Sequence, residues 1–355
     1  MTAQTAAAPV KKDPEKPAAG ERRWWQLDST EGLWRNLALV AVLAILIITG
    51  IITKPELYSD GTWVRNNIFT ILELASVIGV VTVGMTFVII GGGIDLSVGA
   101  IIALAGVWST TLATQDYGAG GMIFCALAVG IGVGVVNGIL ISYGRLVAFI
   151  ATLAMLVAAR GLAAQISGKQ TQVSTSDFIN GIAANDFLGV PVLVYILAAV
   201  VAAGWVLLNR TTFGRRTVAV GGNVEAARLA GINVKRHTLL LYALSGLCCG
   251  IAAVMLTSQA NSAQAAMANL YELDAIAAAI IGGTLLSGGR GTIIGSLLGV
   301  LVFSTITNLF AINNLSTEVQ NMVKGGIIVL AVLIQQIQFK AVTQFFAKNS
   351  KITTS

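Results

Sequence analysis

The sequence predicts an all-α polytopic membrane protein of about ten transmembrane helices, with its N- and C-termini cytoplasmic. Three observations carry that reading. Of the 355 residues, 55% are hydrophobic and 11% charged, and the mean hydropathy is +0.81; a soluble domain carries about 25% charged residues. Apolar runs recur at about 37–53, 71–90, 95–114, 121–141, 146–167, 190–208, 238–258, 273–288, 292–312 and 319–338, each near the roughly 20 residues that a bilayer core requires. The basic residues also fall on alternate connections. With the N-terminus inside and ten crossings, inner segments hold seventeen Lys and Arg, and outer loops hold three, Lys54, Arg65 and Lys169. Retention of Lys and Arg on the cytoplasmic side produces this asymmetry.

The chain divides into a basic cytoplasmic tail over 1–36, a transmembrane domain over 37–338 and a cytoplasmic tail over 339–355. The first segment is polar and rich in Ala, Pro and Lys up to Gly20, a composition of disorder. Trp24, Trp25 and Trp34 read as interfacial anchors before the first span. No small-residue cleavage site follows the first apolar run, so a removed signal peptide is not expected.

The outer loops are short. The longest, about Gly168 to Gly189, contains Asp177, Asn180, Asn185 and Asp186, residues that suit either an external partner or a solvated connector. The longest polar interruption is the loop over 210–236. It holds Arg210, Arg215, Arg216, Arg228, Lys235 and Arg236 against the single acid Glu225. Within it, Asn223 is a good N-cap, Glu225 and Ala226 suit a first helical turn, and Gly231 is a stop signal. Ala226, Leu229 and Ala230 share one face of that short helix. The segment serves either to fix topology or to give a partner a grip.

The 39 glycines exceed what loops use. Gly130, Gly134 and Gly138, Gly246 and Gly250, and Gly291, Gly295 and Gly299 repeat at four-residue spacing, which lets helix backbones approach in lipid. Gly92 to Gly99 matches Gly282 to Gly289 as GGxxLSxG, and paired Gly-rich breaks mark discontinuous helices along a pathway in some transporters.

Charge inside a membrane is expensive, roughly 2.5–3.5 kcal/mol at the bilayer centre on insertion scales. Asp95 sits at the first break, where with Ser97 it suits a helix cap or a pathway. Arg160, Lys324, Glu73, Glu272 and Asp274 fall in the outer half of the ten-span plan, as ion pairs or as a polar vestibule. Asn137 and Asn308 can bond a neutral polyol or a neighbouring helix. Asp95, Asn137, Arg160 and Asn308 are therefore the candidate pathway residues.

Several function classes are excluded. There is no GxxxxGK[ST] loop, so ATP is not bound by a P-loop. Leu286–Arg290 looks by eye like the signature peptide of ABC ATPases, but it lies between apolar spans and no Walker motif accompanies it. No catalytic set, metal cluster or cofactor motif is visible, so the chain is not expected to be an enzyme. Cys125, Cys248 and Cys249 read as small packing residues, and the lone His237 as interfacial. The formal charge of +6 arises in inner segments and does not point to nucleic acid.

Four stretches, GGGIDLSVGAI (91–101), TFGRRTVAVGGNVEAARLAGINV (212–234), YALSGLCCGIAAVMLTSQ (242–259) and ELDAIAAAIIGGTLLSGGRGTIIGSLLGVLV (272–302), closely resemble the ribose-type ABC importer permeases. The resemblance covers about Trp63 to Gln336 in the family's order. It implies the larger-type ABC importer permease fold of the cobalamin permease, in a bacterial inner membrane. It also implies a second permease subunit, as a homodimer, a cytoplasmic ABC ATPase and a periplasmic sugar-binding protein. By the same resemblance, Gly222, Asn223, Glu225, Ala226, Ala227 and Gly231 form the ATPase-coupling helix. The expected function is import of a monosaccharide. A permease for a nucleoside, signalling sugar or branched-chain amino acid is the alternative, and a secondary transporter without an ATPase stands third.

Overall fold

The computed structural model describes the backbone of residues 24–350 and the side chains of residues 32–333. The expected basic tail up to residue 23, Lys351, and the side chains of Trp24, Trp25, Lys340 and Lys348 lie outside the described residues.

Helix α1 (Trp24–Thr53) leads through α2 (Pro55–Tyr58) to α3 (Gly61–Ile90). Asp60 starts α3 by accepting a hydrogen bond from the Thr62 amide at 2.9 Å. From Ala75 to Ile90 every residue of α3 is buried, which makes it the central pillar. A glycine break leads to α4 (Val98–Ser109), the short α5 (Leu112–Gln115), α6 (Gly118–Ser142) and α7 (Ala148–Ile166). The segment after α7 is structured: β1 (Gln172–Val173), α8 (Asp177–Ala184), and the hairpin β2 (Asp186–Phe187) and β3 (Val190–Pro191). Helix α9 (Val192–Arg210) enters the basic loop, which contains α10 (Thr212–Gly222) and α11 (Val224–Leu229). Helix α12 (Val234–Ala260) and β4 (Ser262–Ala263) precede α13 (Tyr271–Ile281), a second glycine break, α14 (Ile293–Ile312) and α15 (Thr317–Ser350).

Among the described residues, seven helices are long and apolar enough to cross a membrane: the part of α1 from Gly32, then α3, α6, α7, α9, α12 and α14. Two predicted spans are shorter. The run at 95–114 holds the 12-residue α4, and that at 273–288 the 11-residue α13. At about 1.5 Å per residue neither reaches across a core of about 30 Å. The glycine breaks take the missing residues out of the helices.

Helices α6 and α12 pack most extensively. A Cβ on Gly130 would strike the backbone of Gly246 and Gly250, one on Gly134 the backbone of Tyr242, and one on Gly138 that of Leu239. The predicted glycine seam is thus a backbone-to-backbone contact. Cys248 and Cys249 are buried beside it, and Cys125 is half-buried. Helix α3 packs on α9, α12, α13 and α14. One end of the bundle is tied by the antiparallel pairing of β1 with β4, Gln172 opposite Ala263 and Val173 opposite Ser262. Gln115 joins this end, donating to the Val173 carbonyl at 3.1 Å and accepting from the Thr175 amide at 2.8 Å. The other end carries α10, α11 and both glycine breaks.

Candidate functional site

The site is a junction of three chain segments at the end of the bundle that carries the basic loop. Its first part is the break after α3. Gly92 has φ +83° and donates its amide to the Ile89 carbonyl at 2.9 Å, while Gly93 donates to Val88 at 2.9 Å. This left-handed closure ends a helix with its last carbonyls satisfied. The break after α13 repeats it: Gly283 has φ +86° and donates to Ile280 at 2.8 Å, and Thr284 donates to Ala279 at 2.9 Å. The two breaks are alike in conformation, but the register differs by one residue from the GGxxLSxG match. Gly92 corresponds to Gly283, and Ile89-Ile90-Gly91-Gly92 to Ile280-Ile281-Gly282-Gly283. The positive φ fixes the register, because only the glycine in that place escapes the Cβ penalty.

The breaks touch. Gly289 donates its amide to the Ile90 carbonyl at 2.8 Å. Onto this contact sits the end of α10: a Cβ on Gly221 would overlap the Ile90 carbonyl oxygen and press on the Gly289 amide. The basic loop therefore rests on both breaks at once, backbone on backbone.

The residues assigned to a coupling helix take the predicted form. Asn223 accepts from the Ala226 amide at 2.9 Å and starts α11. Glu225 pairs with Arg228 at 2.9 Å on the exposed surface, which contributes little. Gly231, at φ +81°, ends the turn, with the Ile232 amide donating to Ala227 at 3.0 Å. Gly222, Asn223, Glu225 and Ala226 are exposed, and so is Leu229, at 81%. Ala227 points inward and is buried, so its place is to seat α11 on the body.

The four pathway candidates separate. Asp95 and Asn137 are fully buried and meet through Ser97. The Asp95 carboxylate accepts from the Ser97 amide at 3.0 Å, the Ser97 hydroxyl at 2.5 Å and the Ser245 hydroxyl at 3.0 Å. Asn137 Nδ2 donates to Ser97 Oγ at 2.8 Å. This network fixes the start of α4 against α6 and α12. Arg160 makes no hydrogen bond to this network; it lies beside the first turn of α4 at Gly99, donating to the carbonyls of Ala265 at 2.7 Å and Met267 at 3.1 Å. Asn308 lies apart. It is buried, and its Oδ1 has no hydrogen-bond partner among the described residues; one turn earlier the same holds for Ser304 Oγ. Nearby, Lys324 pairs with Asp274 at 3.2 Å and lies over the Phe303 ring at 5.2 Å.

Sequence reasoning missed two members. Helix α10 was read as loop, since it holds three glycines, and His237 was read as interfacial. His237 is 5% exposed, its ring stacks 4.7 Å from that of Phe213, and Nε2 lies 3.0 Å from Thr217 Oγ1. The available signal was Thr211, a cap residue that accepts from the Gly214 amide at 3.4 Å. A cavity of about 330 Å³ opens between α10, α12 and the first break, lined by Gly91, Gly92, Val220, Lys235 and Tyr242 among others.

A family model described as branched-chain amino acid transport system / permease component matches residues 67–332. The ribose import permease protein of Bacillus subtilis (strain 168) is 40% identical, covering 86% of this chain and 94% of that one. The ribose import permease protein of Escherichia coli (strain K12) is 37% identical, covering 83% and 92%. The L-arabinose ABC transporter permease protein of Azospirillum brasilense is 36% identical, covering 90% and 91%. No solved structure gives a significant match.

Proposed function

The chain belongs to the branched-chain amino acid transport system / permease component family, as a relative of the sugar ABC importer permeases, and on that premise we propose that it passes a monosaccharide through a bacterial inner membrane. It is a transport subunit and not an enzyme. In this reading a periplasmic binding protein delivers the solute, a cytoplasmic ABC ATPase supplies the work, and a second copy of the chain completes the pathway. The named relatives carry ribose and L-arabinose, which supports a monosaccharide. The family description favours a second reading, a branched-chain amino acid.

Ten passes, with both termini cytoplasmic, fit the path of the chain. The seven long helices supply seven passes and α15 another, and α4 and α13, each together with its glycine break, supply the remaining two. The basic loop, Arg35 and Arg290 then share one face, in keeping with the retention of positive charge inside.

The contact of Gly221 with both Ile90 and Gly289 carries the mechanism. We assign α11, with Gly222, Asn223, Glu225, Ala226 and Gly231, as the surface gripped by the ATPase, and Ala227 as its seat. Nucleotide binding displaces α11, and α10 passes the displacement to both breaks. Packed, glycine-lined helices move as rigid bodies, so the pathway faces outward and inward in turn. Asp95 and Asn137 hold the first break together during this motion. Asn308, whose Oδ1 has no hydrogen-bond partner among the described residues, is the pathway group for a polyol, and Arg160 orders the outer loop at Ala265 and Met267.

The test is uptake by proteoliposomes that contain the permease, its ATPase and its binding protein. Ribose, arabinose or xylose should enter only with ATP hydrolysis, and leucine should not compete. Full-rate entry without nucleotide would overturn the reading, and leucine uptake alone would favour the second one.

A further inference from the structure

The geometry points to His237 as the positioning residue that joins the movement of α10 to the first glycine break. This rests on the reading that α10 and α11 receive the ATPase. One face of α12 touches, in order, the loop and then the break. At its start, His237 Nε2 meets Thr217 Oγ1 of α10 at 3.0 Å. One turn deeper, the Leu241 side chain fills the place a Cβ on Gly91 would take. Tyr242 then donates its hydroxyl to the Ile94 carbonyl at 3.2 Å, and Ser245 donates to Asp95 at 3.0 Å.

The hydrogen-bond direction follows from Thr217. The Thr217 hydroxyl also meets the Phe213 carbonyl at 2.9 Å, and the tautomer that satisfies both contacts carries the ring proton on Nε2 and donates it to the Thr217 oxygen. Both side chains are buried, at 5% and 0% exposed, so water does not replace the bond at little cost. His237 is thereby the link through which α10 and α12 move as one body. Without it, α10 slides on its glycine contacts, and the ATPase turns over with less delivered to Asp95.

The experiment measures solute uptake and ATP hydrolysis together in the reconstituted complex. His237→Phe keeps the ring against Phe213 and removes the donor. Thr217→Val removes the acceptor at constant shape. Each should raise the ATP hydrolysed per solute about three- to tenfold, the scale of one net hydrogen bond. His237→Gln, which keeps a donor near Nε2, should return the ratio to within about twofold of the parent. The double variant should be no worse than the worse single one, because one bond is lost in each case. A purely structural role lowers uptake and hydrolysis by the same factor and leaves the ratio unchanged.

An unchanged ratio in both single variants would overturn the assignment, and so would Gln behaving as Phe or strictly additive losses. If His237→Phe fails to assemble, Thr217→Val carries the test. Ala226→Trp separates the two levels. If it leaves uptake and hydrolysis normal, the reading of the loop as the ATPase site fails. If it abolishes uptake while His237→Phe and Thr217→Val keep the parent ratio, only the role of His237 fails.

Discussion

The Gly289 amide donates to the Ile90 carbonyl at 2.8 Å, so two glycine breaks far apart in sequence share one hydrogen bond. A displacement at either break is felt at the other, and α10 rests on the pair.

The tightest consequence concerns Gly221. A side chain there collides with Ile90 and Gly289, and overpacking of this kind costs about 1–3 kcal/mol. Gly221→Val should lower the thermal midpoint in detergent and reduce uptake more than it reduces the amount of protein in the membrane. Gly222→Ala, with nothing within 4 Å of an added Cβ, should leave the thermal midpoint unchanged.

Asp95→Asn keeps the side-chain shape and gives up one acceptor of the three hydrogen bonds now made. A buried donor left unpaired costs about 1–3 kcal/mol, seen as a lower melting temperature. Asn137→Ala acts on the same network through Ser97. The two together should destabilise by less than their sum in a double-mutant cycle.

Asn308→Leu should behave in the opposite manner. It removes a buried oxygen that lacks a partner among the described residues, so stability should hold or rise, as for any orphaned polar group replaced by hydrocarbon. Uptake should nevertheless fall by at least about tenfold, equivalent to about 1.4 kcal/mol. Initial-rate assays beside thermal melts decide this, and a loss of stability with full uptake would remove Asn308 from the pathway.

Lys324 and Asp274 are 17% and 8% exposed and pair at 3.2 Å. Lys324→Met strands the carboxylate, at a cost of about 3–5 kcal/mol for a buried pair. Lys324→Met with Asp274→Leu should recover most of the loss. A melting series of the two single variants and the double variant checks this.

Ala226 is exposed, and Gly231 holds φ +81°. Ala226→Trp should leave insertion and melting unchanged while uptake falls to background. Gly231→Val should also lower uptake, by unwinding the end of α11, since a β-branched residue there carries a strain of about 1–2 kcal/mol. Membrane fractionation with parallel uptake measurements tests both.

Much of this was legible in the sequence wherever the signal was local. Asn223, Glu225 and Gly231 spell out their helix through caps and a stop. The glycine seam between α6 and α12 shows as a period of four. Where tertiary contacts decide, the reading failed. Thr212–Gly222 contains Gly214, Gly221 and Gly222 and has poor intrinsic helicity; docking on the breaks holds it helical. Hydropathy measures composition, so the runs at 95–114 and 273–288 do not show where their helices are interrupted. The register of the two breaks was off by one, because three consecutive glycines at 91–93 do not reveal which one adopts positive φ. His237 follows Lys235 and Arg236, and its burial depends on Thr217, a residue on another helix.

The pairing of β1 with β4, and the Ala183 amide donating to Ser258 Oγ at 2.7 Å, clamp α12 at one end, while His237 and Thr217 tie the other to α10. A rod of 27 residues is about 40 Å long at 1.5 Å per residue. With the strand-clamped end as the fulcrum, a tilt of roughly 5° carries the opposite tip about 3.5 Å, close to the axial rise of two residues. A small rotation at the strand-clamped end thus becomes an atom-sized stroke at the end that carries α10 and both glycine breaks.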